Sequence, residues 1–350
     1  MNKSRFFISF VIPVYNSERY LTSTLNSIVK QDDGTIEVIC IDDGSQDSSG
    51  AILDDFAKRY PFITVRHQQN GGITVARNAG LKLASGQWIC FVDNDDIIAD
   101  DAVATIHSTA EDDCDLVYYR FKRFSTSLPE ESGASLGAIR YFIKDDIKKL
   151  QSDCINRFND NHPLVPHDTQ PTPWAKIYRH DFLSDHDLHF RDDVKHEEDI
   201  VFNLELLSYV SKAKDVEYDL YYYRWSTGSE SHRFRPNIFD DTKHTLAAYE
   251  EIARSNYPQR QDIQKLVAYR ALWELAYCVY LGPMHESNPA TYVERKRQFW
   301  KLLEYKPFAD ALATLNTCKF EPRQSLLLTL TKFHQFWLLN LLGKIVGCIR

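Results

Sequence analysis

The sequence lacks the features that mark several large protein classes. Its seven cysteines are scattered singly, with no Cys-x-x-Cys pair. This pattern argues against a disulfide framework or a zinc site and favours reduced thiols in a cytosol. No stretch reaches the roughly 18 uninterrupted apolar residues of a membrane-spanning helix. The net charge of −8 at pH 7 argues against nucleic acid as a partner, because nucleic-acid-binding proteins usually carry a basic face.

Two common nucleotide-binding motifs are also missing. No Gly-x-Gly-x-x-Gly follows the first apolar run, and no Gly-x-x-x-x-Gly-Lys-Ser/Thr occurs in the sequence. NAD-dependent oxidoreductases and P-loop enzymes are therefore poor fits. Pro13 and Asn16 interrupt the short apolar run that follows Lys3 and Arg5. We interpret this run as a first strand and not as a signal peptide, and we expect a cytoplasmic protein.

The first hundred residues alternate between strand and helix patterns. The predicted strands are Ile8–Val14, Ile36–Ile41, Ile63–His67 and Trp88–Val92, and the predicted helices are Tyr20–Lys30, Ser48–Tyr60 and Ile73–Ala84. Repeated βα units imply an α/β fold with a mostly parallel sheet, flanked by helices. In such sheets, ligands bind beyond the carboxyl ends of the strands.

Polar residues follow each of the four predicted strands. The last strand is the most informative, because the apolar run Trp88–Val92 ends abruptly in Asp93, Asn94, Asp95 and Asp96. Carboxylates crowded in this way repel one another, and a hard divalent cation with oxygen ligands would neutralise them. A solvated acidic turn is the alternative. The other three strand ends carry Pro13-Val14-Tyr15-Asn16, Asp42-Asp43-Gly44-Ser45 and Gln69-Asn70-Gly71-Gly72.

Four sequence blocks occur in the order and close to the spacing of one known family. They are Ile12–Asn16, Ile41–Ser45, Asn70–Gly72 with Ala76–Gly80, and Phe91–Asp96. Together they resemble family 2 glycosyltransferases of the GT-A fold, and the match is densest over residues 6–100. Looser matches at 173–178, 198–202 and 223–229 look like the bacterial surface-polysaccharide branch of that family.

The resemblance implies a binding site for a UDP-sugar donor. Its predicted residues are Pro13, Tyr15, Asn16, Asp42, Asp43, Asn70, Gly71, Arg77, Asp93 and Asn94. Tyr15 would stack on or flank the uracil, with a strand-end aromatic packed on the next helix as the alternative. Asp42 or Asp43 would hydrogen-bond the edge of the uracil, with an Asx turn that leads into Gly44 as the alternative. Arg77 would reach the nucleotide, with a solvated arginine on the helix surface as the alternative.

The resemblance also implies Mn²⁺ or Mg²⁺ as cofactor. Asp93 would contact the ribose or the metal ion, and Asp95 would hold the metal ion. His232 would be a further ligand, since imidazole suits Mn²⁺ better than Mg²⁺. A surface histidine is the alternative for His232. Asp96 is expected only to cap the next segment.

The predicted catalytic base is Asp199. An inverting sugar transfer needs one carboxylate to take the proton of the acceptor hydroxyl, and the family's Glu-Asp pair matches Glu198-Asp199. Acidic residues are also common in the first turn of any helix, because they face its positive end. Trp174, Lys176 and Glu198 would shape the acceptor pocket, with structural packing as the alternative for the first two.

The implied function is inverting, metal-dependent transfer of a sugar from a UDP-sugar to a glycan or lipid-linked glycan. The alternatives are a sugar-nucleotide-binding protein without turnover and a nucleotidyltransferase. We expect a nucleotide-sugar-binding half at 1–105, an acceptor-binding and catalytic half at 106–235, and a helical region at 236–350.

The helical region should contain helices at Phe239–Ala253, Ile263–Tyr280 and Tyr292–Tyr305. The last segment, Ser325–Arg350, is predicted to be one amphipathic helix that lies in the membrane interface. The alternative is a helix packed on the protein's own core or on the partner subunit of a homodimer.

Overall fold

The computed structural model describes residues 6–125, 136–156, 171–225, 234–315, 320 and 322–348. The chain divides into two compact units. The sheet unit comprises Met1–Gln151, Pro163–Asp192 and Glu198–Ser226, and the helical unit comprises Ser152–His162, Asp193–Glu197 and Thr227–Arg350.

The sheet unit begins with the expected βα repeats. Its first elements are β1 (Ile8–Val14), α1 (Leu21–Val29), β2 (Ile36–Asp42), α2 (Ser49–Arg59), β3 (Ile63–His67), α3 (Ile73–Leu83) and β4 (Trp88–Phe91). These bounds agree with the predicted ones to within one residue at each end. The strands β3, β2, β1 and β4 lie side by side and are all parallel.

The rest of the sheet is mixed. The elements that follow β4 along the chain are β5 (Ile97–Ile98), α4 (Ala102–Thr109), β6 (Leu116–Phe124), β7 (Ile139–Ile143), α5 (Asp145–Ile155), β8 (Lys176–Arg179), α6 (His180–Asp185), α7 (Glu198–Leu207) and β9 (Lys212–Arg224). The order β3-β2-β1-β4-β8-β6-β9-β5 continues from β4 through β8, which runs antiparallel to both of its neighbours. The α/β fold is confirmed, and among the described strands the parallel pairs lie within β1–β4 and between β6 and β9.

The central strands are buried on both faces. Every residue of β1, β2 and β4 is buried, which explains why these strands appear as continuous apolar runs and not as alternating ones. Helix α3 approaches β1 so closely that a Cβ atom on Gly80 would lie 2.4 Å from the Cγ1 atom of Val11. A glycine is therefore required at this contact.

The helical unit contains α8 (Ile238–Ser255), α9 (Gln261–Leu281), α10 (Tyr292–Glu304), α11 (Lys306–Thr314), α12 (Pro322–Lys332) and α13 (Phe336–Cys348). The first three confirm the predicted helices. Helix α10 begins with a capping box, in which Thr291 and Glu294 exchange hydrogen bonds. Among the described residues, no helix combines the length and the apolar character needed to cross a membrane.

The prediction of one continuous C-terminal helix is wrong. Helix α12 ends because His334 adopts a left-handed conformation with φ of 58°, and the backbone N–H of Gln335 then donates to the carbonyl of Leu330 at 2.8 Å. Phe336 starts a new helix and packs on Phe299 of α10, with ring centroids 5.3 Å apart. Burial of Phe336 is thus favoured over continuation of the helix.

Candidate active site

The loops that follow β1 and β2 are tied together. The backbone N–H of Asn16 donates to Ser45 Oγ at 3.1 Å, and the backbone N–H of Gln46 donates to Asn16 Oδ1 at 2.7 Å. Asn16 holds this position in a left-handed conformation with φ of 48°. Pro13 is buried at the strand end, while the Tyr15 side chain is 47% exposed. The ring of Tyr15 is therefore available for stacking on a base at this edge.

Asp42 and Asp43 both make internal hydrogen bonds. Asp42 Oδ1 accepts from the backbone N–H of Ser45 at 2.9 Å, and Asp42 Oδ2 lies 2.7 Å from His67 Nδ1. Burial alone would raise the pKa of Asp42, but hydrogen bonds from Ser45 and His67 outweigh burial and lower it. The same contact with Asp42 is the main reason why the pKa of His67 is raised.

His67 is a candidate residue that the sequence reasoning missed. The sequence feature that could have identified His67 is its position as the last residue of β3, at the edge where the other strand-end residues meet.

Asp43 anchors the glycine loop before α3. Its carboxylate accepts from the backbone N–H groups of Gly71 at 3.0 Å and Gly72 at 2.8 Å. Gly72 has φ of 93°, a conformation that favours glycine. Asn70 is exposed in this loop, and its backbone nitrogen would lie 2.9 Å from a Cβ atom on Gly44. The glycines therefore allow the two loops to approach each other. The Asx turn that was the alternative describes Asp42, which accepts from nearby Ser45, better than Asp43, which accepts from the distant glycine loop.

Arg77 joins the acidic end of β4 to the acidic start of α7. Its side chain is only 3% exposed, with Nη2 donating to Asp93 Oδ1 and Nη1 donating to Glu198 Oε1, both at 3.1 Å. Burial alone would lower the pKa of Arg77, but the negative charges of Asp93, Glu198 and Asp199 outweigh burial and raise it. The sequence placed Arg77 at the nucleotide; the structure places it between two carboxylates of the site.

The acidic residues after β4 have different environments. The Asp93 side chain is 26% exposed, and Asp95 is partly buried. Burial, together with the charge of Asp93, raises the pKa of Asp95 to about 6. Asp93 and Asp95 offer carboxylate oxygens, the ligands that a hard divalent cation prefers, and a cation would favour the charged form of Asp95 against the burial and the charge of Asp93 that raise its pKa.

The expectation that Asp96 only caps the next segment is wrong. Its carboxylate is fully buried and accepts hydrogen bonds from Tyr221 Oη and the backbone N–H of Arg224, both at 2.6 Å. Burial raises its pKa well above the usual value, as do the charges of Asp93 and Asp95. Tyr221 Oη also accepts from the backbone N–H of Asp93 at 3.0 Å. Asp96 therefore fixes the acidic turn to β9.

Glu198 and Asp199 form the first turn of α7. Glu198 is held by Arg77, while Asp199 is partly exposed and its Oδ1 accepts from the backbone N–H of Ile200 at 2.8 Å. Arg77 thus holds Asp93 and Glu198 around one guanidinium, with Asp199 as the next residue along the chain.

Trp174 and Lys176 are both buried in the sheet unit. Trp174 is 7% exposed and stacks on Tyr221 and Tyr223, with ring centroids 4.7 and 5.5 Å away. Lys176 is fully buried, and its ammonium group donates to the carbonyl of Thr172. These contacts fit structural packing, which was the alternative for both residues. The acceptor roles of Trp174 and Lys176 stay predictions. His232 lies outside the described residues.

The sequence is similar to known glycosyltransferases. Residues 9–162 match the sequence model described as "Glycosyl transferase family 2". The putative glycosyltransferase EpsH of Bacillus subtilis (strain 168) is 27% identical over 340 residues, which cover 93% of this chain and 92% of the relative. Poly(ribitol-phosphate) beta-N-acetylglucosaminyltransferase TarS of Staphylococcus aureus (strain MW2) is 29% identical over 225 residues, which cover 61% of this chain and 35% of that protein.

Two solved structures share the fold. The crystal structure of S. aureus TarS 1-349 in complex with UDP-GlcNAc matches with a TM-score of 0.62 at 20% identity, covering 94% of this chain and 88% of that chain. The mannosyltransferase PcManGT from Pyrobaculum calidifontis, in complex with GDP-Man and Mn²⁺, matches with a TM-score of 0.52 at 14% identity, covering 96% and 88%. Both likenesses support the expected GT-A architecture with helices after the sheet.

Proposed function

We propose that this chain is a family 2 glycosyltransferase and that it transfers a sugar from a UDP-sugar to a hydroxyl group of a surface-polysaccharide acceptor. The observation that carries the proposal is the Arg77 bridge. One buried guanidinium joins Asp93, a predicted donor-site residue, to Glu198, the neighbour of the predicted base. Arg77 would thereby fix the position of the donor-site residue Asp93 relative to the start of α7, which carries the predicted base.

The proposed reaction is a single displacement that inverts the configuration at the anomeric carbon. Asp199 accepts the proton of the acceptor hydroxyl as its oxygen attacks the anomeric carbon, and the bond to the diphosphate breaks. Asp199 suits this role because it is partly exposed at the start of α7. Glu198 is less suited, since its carboxylate forms an ion pair with the buried guanidinium of Arg77.

Asp93 and Asp95 would hold Mn²⁺ or Mg²⁺. The bound cation would supply positive charge next to the departing diphosphate. The buried Asp96 supports this role, because its hydrogen bonds to Tyr221 and Arg224 fix the turn that carries both carboxylates.

Tyr15, Asp42 and Asp43 would bind the uridine. Tyr15 offers the exposed ring, and the two carboxylates fix the loops around the base, so that they would act mainly by shaping the pocket. The similarity to TarS, which is described with UDP-GlcNAc and named for poly(ribitol-phosphate), supports UDP-GlcNAc as the first donor and a ribitol-phosphate polymer as the first acceptor to test.

The C-terminal helices would hold the enzyme at the inner face of the cell membrane, where lipid-linked acceptors are found. Leu326, Phe333, Trp337 and Leu341 are between 49% and 65% exposed, which is unusual for large apolar side chains so close in sequence. A second copy of the chain is the other occupant that would suit such a surface.

Thermal-shift measurements with a panel of nucleotides test the donor assignment. Because a ligand that binds only the folded state stabilises it by mass action, UDP and one UDP-sugar should raise the melting temperature in Mn²⁺ and not in EDTA. GDP and ADP serve as controls. Equal shifts with all three diphosphates, or equal shifts in EDTA, would contradict the proposed donor or the proposed metal.

A further inference from the structure

A buried cluster of charged residues within the helical unit surrounds Glu197. Arg270 of α9 donates from Nε to Glu197 Oε2 at 2.9 Å and forms a second contact through Nη2 with Glu197 Oε1. Tyr249 of α8 donates its hydroxyl to Glu197 Oε2 at 3.0 Å. The Arg270 side chain is fully buried and that of Glu197 is 10% exposed. Two helices therefore grip one carboxylate away from water.

The preceding residue, His196, contacts the same two helices. His196 Nε2 lies 2.9 Å from Glu274 Oε2 of α9, and the His196 ring stacks on Tyr277 with centroids 4.9 Å apart. The carbonyl of His196 accepts from Thr245 Oγ1 of α8 at 2.6 Å. Both the side chain and the backbone of His196 are thus fixed.

A metal ion is not needed to explain this cluster. Ligand atoms of His196, Glu197 and Glu274 lie within 4.8 Å of one another, a spacing that a cation could use. Arg270 already occupies the position of that cation, however, because its Nε is 3.5 Å from Glu274 Oε1 as well as bonded to Glu197. Two carboxylates share one guanidinium, so the cluster is an ion-pair network.

Glu197 also has an unfavourable backbone conformation. Its φ is 58°, in the left-handed region that costs free energy for any residue with a Cβ atom. Such conformations persist only where the surroundings enforce them, and they concentrate at functional sites. The ion pair and the Tyr249 hydrogen bond are the contacts that enforce this one. The next two residues along the chain are Glu198 and Asp199.

We infer that Arg270 and Glu197 are positioning residues, which set the backbone immediately before the base Asp199 by holding Glu197 in the left-handed conformation. This inference rests on the proposed function, since it assigns the ion pair a purpose in the sugar-transfer step. It predicts that loss of the ion pair misplaces the base while the uridine-binding loops keep their own hydrogen bonds. Turnover should then fall without a comparable loss of donor binding.

The test compares Glu197→Gln and Glu197→Gly. Glutamine keeps the side-chain size and the free-energy cost of the left-handed backbone conformation, but it removes the charge that pairs with Arg270. Glycine removes the same charge and also the cost, because it adopts φ above zero readily. We expect kcat to fall about 10–100-fold in Glu197→Gln, as for a misplaced catalytic group, with the donor KM within about twofold. Glu197→Gly should keep at least about five times more kcat than Glu197→Gln.

Asp187→Ala is the matched control. Asp187 is also left-handed, with φ of 51°, but its side chain is 99% exposed and it lies outside the cluster. Its substitution should leave kcat within about twofold, because no buried contact is lost. Equal kcat in Glu197→Gln and wild type, equal losses in the glutamine and glycine variants, or parallel changes in kcat and donor KM would each overturn the inference.

Amide hydrogen exchange separates this inference from the proposed function. Glu197→Gln should lower the protection of residues 198–201 at the start of α7, and Asp187→Ala should not. This readout needs no substrate, so that failure of the wild-type protein to release UDP would contradict the proposed function alone. Unchanged protection in Glu197→Gln would overturn the positioning role, whatever the activity.

Discussion

Replacement of Arg77 by methionine should destabilise the protein strongly. The substitution keeps much of the side-chain volume but removes hydrogen bonds to Asp93 and Glu198, each 3.1 Å long. Removing one partner of a buried ion pair costs about 3–5 kcal/mol. The lower end applies here, because the Asp93 and Glu198 side chains keep 26% and 17% of their exposure and water can solvate them. We therefore expect a loss of about 3 kcal/mol.

Thermal unfolding measures this loss. For a folding unit of about 150–250 residues, such as the sheet unit that contains Arg77, about 1 kcal/mol shifts the melting temperature by about 2–4 °C, so Arg77→Met should melt about 6–12 °C lower. Arg59→Met is the control, since Arg59 pairs with Asp55 at 2.6 Å but is 49% exposed. A surface ion pair contributes less than about 1 kcal/mol.

The response to Mn²⁺ gives a second readout for Arg77→Met. Without the guanidinium, the carboxylates of the site repel one another, and a cation should relieve more repulsion than in the wild type. Mn²⁺ should therefore raise the melting temperature of Arg77→Met more than that of the wild type. If Arg77→Met melts no lower than Arg59→Met, the Arg77 bridge does not stabilise the site.

Two further predictions concern the acidic turn and the C-terminal helices. The pKa of Asp95 rises from 3.8 to about 6, so its contribution to the stability of the metal-free protein is present below pH 3.8 and is lost as the pH rises through 6. Asp95→Asn should therefore melt higher than the wild type at pH 7.5 in EDTA yet lose Mn²⁺-dependent UDP binding; a lower melting temperature, or unchanged UDP binding, would contradict this. Phe333→Ser with Trp337→Ser should abolish flotation with anionic liposomes while thermal stability is kept, because both side chains are exposed. Equal flotation of this double variant and the wild type would exclude the membrane contact.

The sequence predicted the βα repeats well because their signal is local. Runs such as Trp88–Phe91 are buried on both faces, and each ends in polar residues at one edge of the sheet. The break at His334 could not be predicted in this way. It depends on the packing of Phe336 against Phe299, a contact between residues far apart in sequence.

The candidate site was predicted as a set of residues but not as a network. Strand-end position and family resemblance indicated Asp93, Asp95 and Asp199, since each chemical role requires a carboxylate. Neither signal showed that Arg77 faces inward, because an arginine on a helix is exposed unless a distant carboxylate pairs with it. The ion pair between Glu197 and Arg270 could not be predicted for the same reason, since Arg270 is 73 residues away along the chain.

The release of UDP from UDP-GlcNAc, and from a panel of other UDP-sugars, is the direct measure of the proposed sugar transfer. The assay would compare the wild type with Asp199→Asn in Mn²⁺, with a ribitol-phosphate polymer as the first acceptor. We expect UDP release from at least one donor, a decrease of about 10²–10⁴-fold in Asp199→Asn with unchanged UDP affinity, and a product with inverted anomeric configuration. Pyrophosphate in place of UDP, a retained configuration, or equal rates for the two proteins would contradict the account.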